Sequence, residues 1–318
     1  MTYGSVCSGI EATTVAWEPL GLYPAWFAEI DPFCSALLEY HYPKVKNHGD
    51  FTQITETVGA VDILAGGTPC QSFSISGKRG GLDDARGNLA IEFCRLAARL
   101  RPRWVVWENV PGVLSSNAGR DFGAILKALA ELGYGCAWRV LDAQFFGVPQ
   151  RRRRVFVVGH LGDWRRAAAV LFDPWDVQNA AAENEAAKQE NAAGNGTGSG
   201  GDAETSHGVI AASIAGTLLS TSKGGRRPGH AGDDLARGMI VLDSMGPRIL
   251  TPRECERLQG LPDDYTLVPF RGKPAPDGQR YRAIGNSMAV PVMRWIGRRI
   301  LIADGINRTH SGVGYGAA

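Results

Sequence analysis

Gly66-Gly67-Thr68-Pro69-Cys70-Gln71-Ser72-Phe73-Ser74 is the stretch around which this 318-residue sequence is read. It follows an apolar run, Val61-Asp62-Ile63-Leu64-Ala65, which reads as a short buried strand. Two glycines and a proline are then expected to stop that strand and turn the backbone. Cys70 is thereby placed in a loop at the carboxyl end of a strand, where open α/β sheets bind their ligands. A lone cysteine is more often a small buried hydrophobe than a nucleophile. Here Pro69 removes a backbone donor and stiffens the approach, while Gln71, Ser72 and Ser74 surround the thiol with polar groups.

Upstream, Thr2 to Val6 reads as a first strand, ending in Cys7-Ser8-Gly9-Ile10-Glu11-Ala12, and Thr13 to Leu20 has helical spacing. Strand, glycine turn and helix is the arrangement that receives nucleotide cofactors, although one glycine is a weak form of it. A second strand, Ala25 to Ala28, ends at Glu29-Ile30-Asp31. A carboxylate there either accepts hydrogen bonds from ribose hydroxyls or is simply solvated. Pro32 to Tyr40 follows as a helix with proline in its first turn.

Downstream, Gly77 to Asn88 is rich in glycine and charge, and Asn88 is placed to cap a helix from Leu89 to Leu100. Trp104 to Trp107 is a fourth buried strand, leading into Glu108-Asn109-Val110-Pro111. A carboxylate at a buried strand's end is costly unless it has a partner or a task. Asp121 to Leu132 reads as a helix with an Asp cap, and Cys136 to Leu141 as a strand. Gln150 and four arginines then open the strand Val155 to Gly159. Alternate residues of a strand share a face, so Arg152 and Arg154 point one way, Arg151 and Arg153 the other. Thr251-Pro252-Arg253-Glu254 is a capping box opening a helix to Gln259, and an apolar helix runs from Val290 to Ile302. The expected fold class is α/β.

The composition, 44% hydrophobic and 21% charged, is that of a globular enzyme with one large core and room for a smaller second domain. Six cysteines at 7, 34, 70, 94, 136 and 255 form no Cys-x-x-Cys pair, which argues against a disulfide framework or zinc site. No secretory signal or long apolar run is present, so a cytoplasmic location and no membrane span are expected. The stretch 176–205 carries a net charge of −5, leaving +7 on the rest of a chain whose net is +2. A positive folded part suits a polyanion. The same stretch has no apolar pattern and reads as a disordered linker.

The Pro-Cys-Gln loop and its continuation Ser74-Ile75-Ser76-Gly77-Lys78-Arg79 resemble the catalytic loop of the C5-cytosine DNA methyltransferases. Glu108-Asn109-Val110 is similar to that family's Glu-Asn-Val motif, and Gln150 to Arg154 to its Gln-x-Arg-x-Arg segment. Thr217-Leu218, Leu261 to Tyr265 and Gly285-Asn286-Ser287 match later motifs in order. The resemblance implies a Rossmann-like domain binding S-adenosyl-L-methionine, over 1–163 and 248–318. A small target-recognition domain over 164–247 would contain the linker. Cys70 would be the nucleophile, Glu108 the acid that grips the base, and Arg152 and Arg154 the functional arginines. Cofactor contacts would come from Cys7, Gly9, Ile10, Glu29, Ile30, Asp50, Phe51, Pro69, Leu89, Asn286 and Ser287. DNA contacts would come from Gln71, Ser76, Lys78, Thr217, Lys223, Arg226 and Arg227. No metal is implied. Double-stranded DNA is the expected partner of a monomer, and a cognate restriction endonuclease is a further candidate. The family usually has an aromatic residue where Cys7 stands, and glycines where Glu11 and Ala12 stand.

The chemistry explains the residue types. A thiolate adding to C6 of cytosine makes C5 an enamine carbon able to take up a methyl cation equivalent. An acid at N3 and an arginine near O2 stabilise the charge that builds on the ring. An RNA cytosine methyltransferase with the same active site is the nearest alternative. A catalytically dead DNA-binding relative would not need Cys70, Glu108, Arg152 and Arg154 together. A nicotinamide dehydrogenase would explain Glu29 but not the cysteine loop.

Overall fold

The computed structural model describes residues 1–69, 89–172, 240–243 and 246–305. Cys70, Gln71, Ser76, Lys78, Thr217, Lys223, Arg226, Arg227 and the linker 176–205 lie outside them.

Val6, Ile63, Leu64, Ala65 and Trp104 to Trp107 are all but fully buried, as near-continuous apolar strands of a parallel sheet must be when both faces are covered. The sheet strands are β1 (Thr2–Val6), β2 (Tyr23–Ala28), β3 (Lys46–Asn47), β4 (Ile63–Gly67), β5 (Trp104–Asn109), β6 (Tyr134–Asp142) and β7 (Arg153–Leu161). They lie in the order β3-β2-β1-β4-β5-β7-β6. The first five are parallel, and β7 runs antiparallel to both its neighbours. The carboxyl ends of β1, β4 and β5 therefore meet the start of β7 at one edge. Crossover helices α1 (Ala12–Trp17), α2 (Pro32–His41) and α3 (Leu89–Leu100) join the parallel strands, and α4 (Arg120–Glu131) and α5 (Trp164–Leu171) flank β6 and β7. The hairpin β8 (Ile240–Asp243) and β9 (Gly246–Ile249) precedes α6 (Pro252–Gln259), α7 (Asp277–Asn286) and α8 (Val290–Ala303). These elements belong to one compact unit.

Several local expectations change. Strand β4 does not stop at its glycines but runs through both. A Cβ at Gly66 would sit 2.3 Å from the Val6 carbonyl oxygen, and one at Gly67 would sit 2.7 Å from Glu108 Oε2. The glycines are there for close packing, not to turn the chain. Helix α1 ends at Trp17, because Glu18-Pro19-Leu20 tightens into a 3-10 turn at the proline. Asp121 does not cap α4. Gly119 does, with φ +83°, and buried Asp121 accepts hydrogen bonds from Ser116 Oγ (2.6 Å) and Asn117 Nδ2 (3.3 Å). The capping box at Thr251 is present as read. Helix α7 has no counterpart in the sequence reading. Its polar residues and interior Gly278 mask its period.

The C-terminal helix α8 lies on α1 and α5, and Trp17 Nε1 donates to the Met293 carbonyl at 2.6 Å. Helix α5, which opens the segment expected to recognise the target, packs against β6, β7 and α8.

Candidate active site

Glu108 stands at the end of β5, opposite Gly67 on β4, whose missing side chain makes room for it. Its Oε1 lies 3.1 Å from Arg154 Nε, and both side chains are largely buried, at 12% and 14% exposure. Burial raises the Glu108 carboxyl above its ordinary range, against the pull of Arg154 and Arg152. The result is a carboxyl that holds a proton more readily than a solvated one, beside a fixed positive charge.

Arg152 shares the inward face with Arg154, and Arg151 and Arg153 are exposed, as the spacing of two requires. The two inward arginines nevertheless do different things. Arg152 Nη2 donates to the carbonyls of Ser287 (2.6 Å) and Gly285 (3.2 Å) at the end of α7. Burial pulls its guanidinium down to about 9. Fully buried Gln259 adds Nε2 donation to the Ile284 carbonyl at 2.9 Å. Arg152 thus ties the strand carrying Arg154 to the segment carrying Asn286 and Ser287.

Thr68, two residues before Cys70, is held from β5. Trp107 Nε1 donates to Thr68 Oγ1 (2.9 Å) and Asn109 Nδ2 donates to the Thr68 carbonyl (3.0 Å). Neither anchor was singled out from the sequence. Asn109 alone carried a signal, as the middle residue of the Glu-Asn-Val match. Asn109→Ala leaves a buried carbonyl without its donor and is expected to cost about 1–3 kcal/mol of stability, measured by urea unfolding.

On the β1 side, Glu29 accepts from the Gly9 N–H through Oε2 (2.7 Å) and from the Asp31 N–H through Oε1 (2.7 Å). Each oxygen keeps a further lone pair. Asn47, also missed in the sequence, braces Glu29 by bonding both its N–H and its carbonyl. Gly9 has φ +57°, and a Cβ there would have no neighbour closer than 4.0 Å. This leaves open space beside a half-buried turn of backbone. Ile30 is 75% exposed beside Glu29. Asp50 caps a short turn by accepting from Thr52 N (2.9 Å), and Phe51 is buried in the core. Ile10 is buried and its carbonyl accepts from Tyr265 OH at 2.9 Å. Pro69 is exposed and Leu89 half-buried at the start of α3. Burial, then Glu29 and Asp50, pushes the Cys7 thiol up to about 12, so it is no nucleophile near neutrality.

Cys7, Gly9, Glu108, Asn286 and Ser287 line one cleft, together with Ser5, Gly67 and Met288. A larger depression over α2, lined by Glu39, Tyr42 and Val45, holds none of the expected catalytic groups. Among the described residues no cluster of three His, Cys, Asp or Glu is arranged to hold a metal ion.

The profile of the C-5 cytosine-specific DNA methylase family matches residues 1–199 and 178–301. The chain belongs to this family. Relatives of this methylase chain include a DNA N-6-adenine-methyltransferase of Escherichia phage P1, 35% identical over 94% of the chain and 61% of the relative. The chain thus spans about three fifths of that relative's length. It is also similar to the Type II methyltransferases M2.BsuMI of Bacillus subtilis (31% identical, 93% of the chain, 74% of the relative) and M.HpaII of Haemophilus parainfluenzae (30%, 94% and 89%). The S. pombe Dnmt2 methyltransferase structure superposes over 97% of the chain and 100% of its own, with TM-score 0.62 at 16% identity, a likeness of fold. The fold is therefore shared at low sequence identity.

Proposed function

We propose that this chain transfers a methyl group from S-adenosyl-L-methionine to C5 of a cytosine in duplex DNA. The observation that carries the reading is the Glu108–Arg154 pair, whose Glu108 carboxyl lines the same cleft as the Cys7–Gly9 turn. The turn fits the cofactor. Gly9 leaves space for close approach, and the half-buried Glu29 carboxylate, fixed by two backbone donors, keeps acceptor capacity for ribose hydroxyls. Cys7, Gly9 and Ser287 would hold the cofactor there. When bound, S-adenosylmethionine supplies an electrophilic methyl.

The chain's own residues do the rest. The Cys70 thiolate adds to C6, breaking the ring's aromaticity and moving an electron pair toward C5. Glu108 holds a proton at N3, and Arg154 stabilises the charge that builds on the base. Once that electron pair has bonded C5 to the methyl group, loss of the C5 proton returns an electron pair to the ring and expels the thiolate. A base inside a duplex is out of reach, so it must be flipped at a cost of roughly a few kcal/mol. Arg152 positions the cofactor side of the cleft and does not touch the base. Reading of the neighbouring bases falls to 206–246, with Lys223, Arg226 and Arg227.

The name of the phage P1 relative favours a second reading, methylation of adenine N6. An exocyclic amine attacks a methyl donor with its own lone pair and needs no thiolate adduct. Duplex DNA and RNA of random sequence are incubated with labelled cofactor, and the modified nucleosides are identified by mass spectrometry. 5-Methylcytosine in DNA is the expected product. N6-methyladenine alone would replace the proposal by the second reading, and label in RNA alone by an RNA activity.

A further inference from the structure

Glu11 occupies a position where glycine would be free of strain. Its backbone is left-handed (φ 55°, ψ 50°), which a side chain with a Cβ adopts at a cost. The residue is also 1% exposed and carries a carboxyl that burial pushes up to about 7. A carboxyl raised in the folded state is tolerated when protonated. Stability is lost as pH rises from its ordinary value near 4.5 through about 7. This side chain is thus unfavourable both in conformation and in charge.

The carboxylate is met entirely by donors. Ser5 Oγ donates to Oε1, and Thr14 donates to Oε2 through Oγ1 (2.6 Å) and N (3.2 Å). Tyr3 OH stands 3.4 Å from Oε2 and 2.6 Å from Thr14 Oγ1. Such a set stabilises the ionised form. Ser5 itself lines the cleft, as do Ala12 and Thr13 on the other side of Glu11. The charge therefore stands one hydrogen bond behind the cleft wall.

We propose that Glu11, acting through Ser5, makes the cleft favour the positively charged sulfonium cofactor over the neutral thioether product. The proposal rests on the reading of this cleft as the S-adenosylmethionine site. Methyl transfer leaves the S–C electron pair on sulfur, so the attraction disappears with the reaction and the product is released more readily. Glu11 is a positioning residue, since it touches neither ligand.

Other groups must be separated from it. Tyr3 on β1, Tyr42 after α2 and Tyr265 after α6 are all pushed above the ordinary phenol range and stay neutral. Helix α8, packed on α1, carries Arg294, Arg298 and Arg299, the last turned to the carbonyls of Ala169 and Val170. Glu108 lines the same cleft with its own raised carboxyl, and Glu29 lies at the far side of the turn. The cofactor's amino group titrates as well. Comparison of wild type with Glu11→Gln cancels all of these.

Isothermal titration calorimetry measures the affinities of S-adenosylmethionine and S-adenosylhomocysteine at about pH 6 and about pH 8.5, on either side of Glu11's range. The full chain is used as wild type, Glu11→Gln and Glu11→Gly. The ratio of the two affinities is expected to favour the sulfonium ligand about fivefold more in wild type than in either variant at the higher pH, the order expected for a unit charge one side chain away. At the lower pH that difference shrinks. A purely structural role would weaken both ligands together and leave the ratio unchanged. Equal ratios in wild type and Glu11→Gln at the higher pH overturn the proposal while leaving the cofactor reading intact. Failure of wild type to bind either ligand overturns both. Should either variant fold poorly, the other still yields the ratio, since Glu11→Gly removes the backbone strain.

Discussion

Cys70→Ala is expected to lower methyl transfer to cytosine on the order of 10⁴-fold or more, with cofactor affinity unchanged. The loss is large because cytosine C5 is not nucleophilic until something adds at C6. Neither Glu108 nor Arg154 can substitute for that addition, since both only stabilise charge. The other thiol at this edge does not rescue it, as burial beside Glu29 and Asp50 keeps Cys7 protonated. A duplex carrying 5-fluorocytosine provides the companion measurement. Fluorine at C5 cannot leave as a proton, so the thiol is not expelled and a protein–DNA adduct survives a denaturing gel. The adduct is expected in wild type with cofactor and absent in Cys70→Ala. Undiminished 5-methylcytosine formation by the variant would sink the covalent mechanism. Undiminished N6-methyladenine formation would favour the adenine reading.

Arg154→Ala is expected to reduce turnover roughly 10²- to 10³-fold, the loss typical of one preorganised charge at a developing anion. Its second effect has a definite sign. Arg154 pulls the Glu108 carboxyl down against the burial that raises it. Without Arg154, the carboxyl rises further and keeps its proton to higher pH. If protonated Glu108 is the active form, the alkaline limb of kcat/KM moves to higher pH as the maximum falls. The same substitution leaves a buried carboxyl without its countercharge, so a stability loss of about 3–5 kcal/mol is expected above the Glu108 pKa, shrinking as pH falls and the group is neutralised. Denaturant unfolding as a function of pH checks that part. A limb that moves to lower pH, or does not move, would remove Glu108 from the role of acid. Arg152→Ala separates the two arginines. It is expected to weaken cofactor binding through the Gly285–Ser287 segment while leaving the alkaline limb nearer its place.

Much of this arrangement was legible along the chain. Runs of four or five residues, at 2–6, 25–28, 61–65 and 104–107, marked β1, β2, β4 and β5, and those of β4 and β5 are the most apolar because a strand buried on both faces has no polar period. The capping box at Thr251 needed only its own four residues. The direction of Arg152 and Arg154 followed from the twofold repeat of a strand. The partner each meets did not. Arg154 finds Glu108 across the β5–β7 ladder, and Arg152 finds carbonyls more than 130 residues away. Local geometry sets where a side chain points, while its partner depends on how distant elements pack. Gly66 and Gly67 make the same point. As sequence they read as strand breakers, whereas Val6 and Glu108 stand too close to admit a Cβ at either position. Glu11 read as a departure from a glycine motif. Only the folded chain surrounds it with Tyr3, Ser5 and Thr14, because a turn in left-handed backbone directs its carboxyl inward, behind the cleft and away from water.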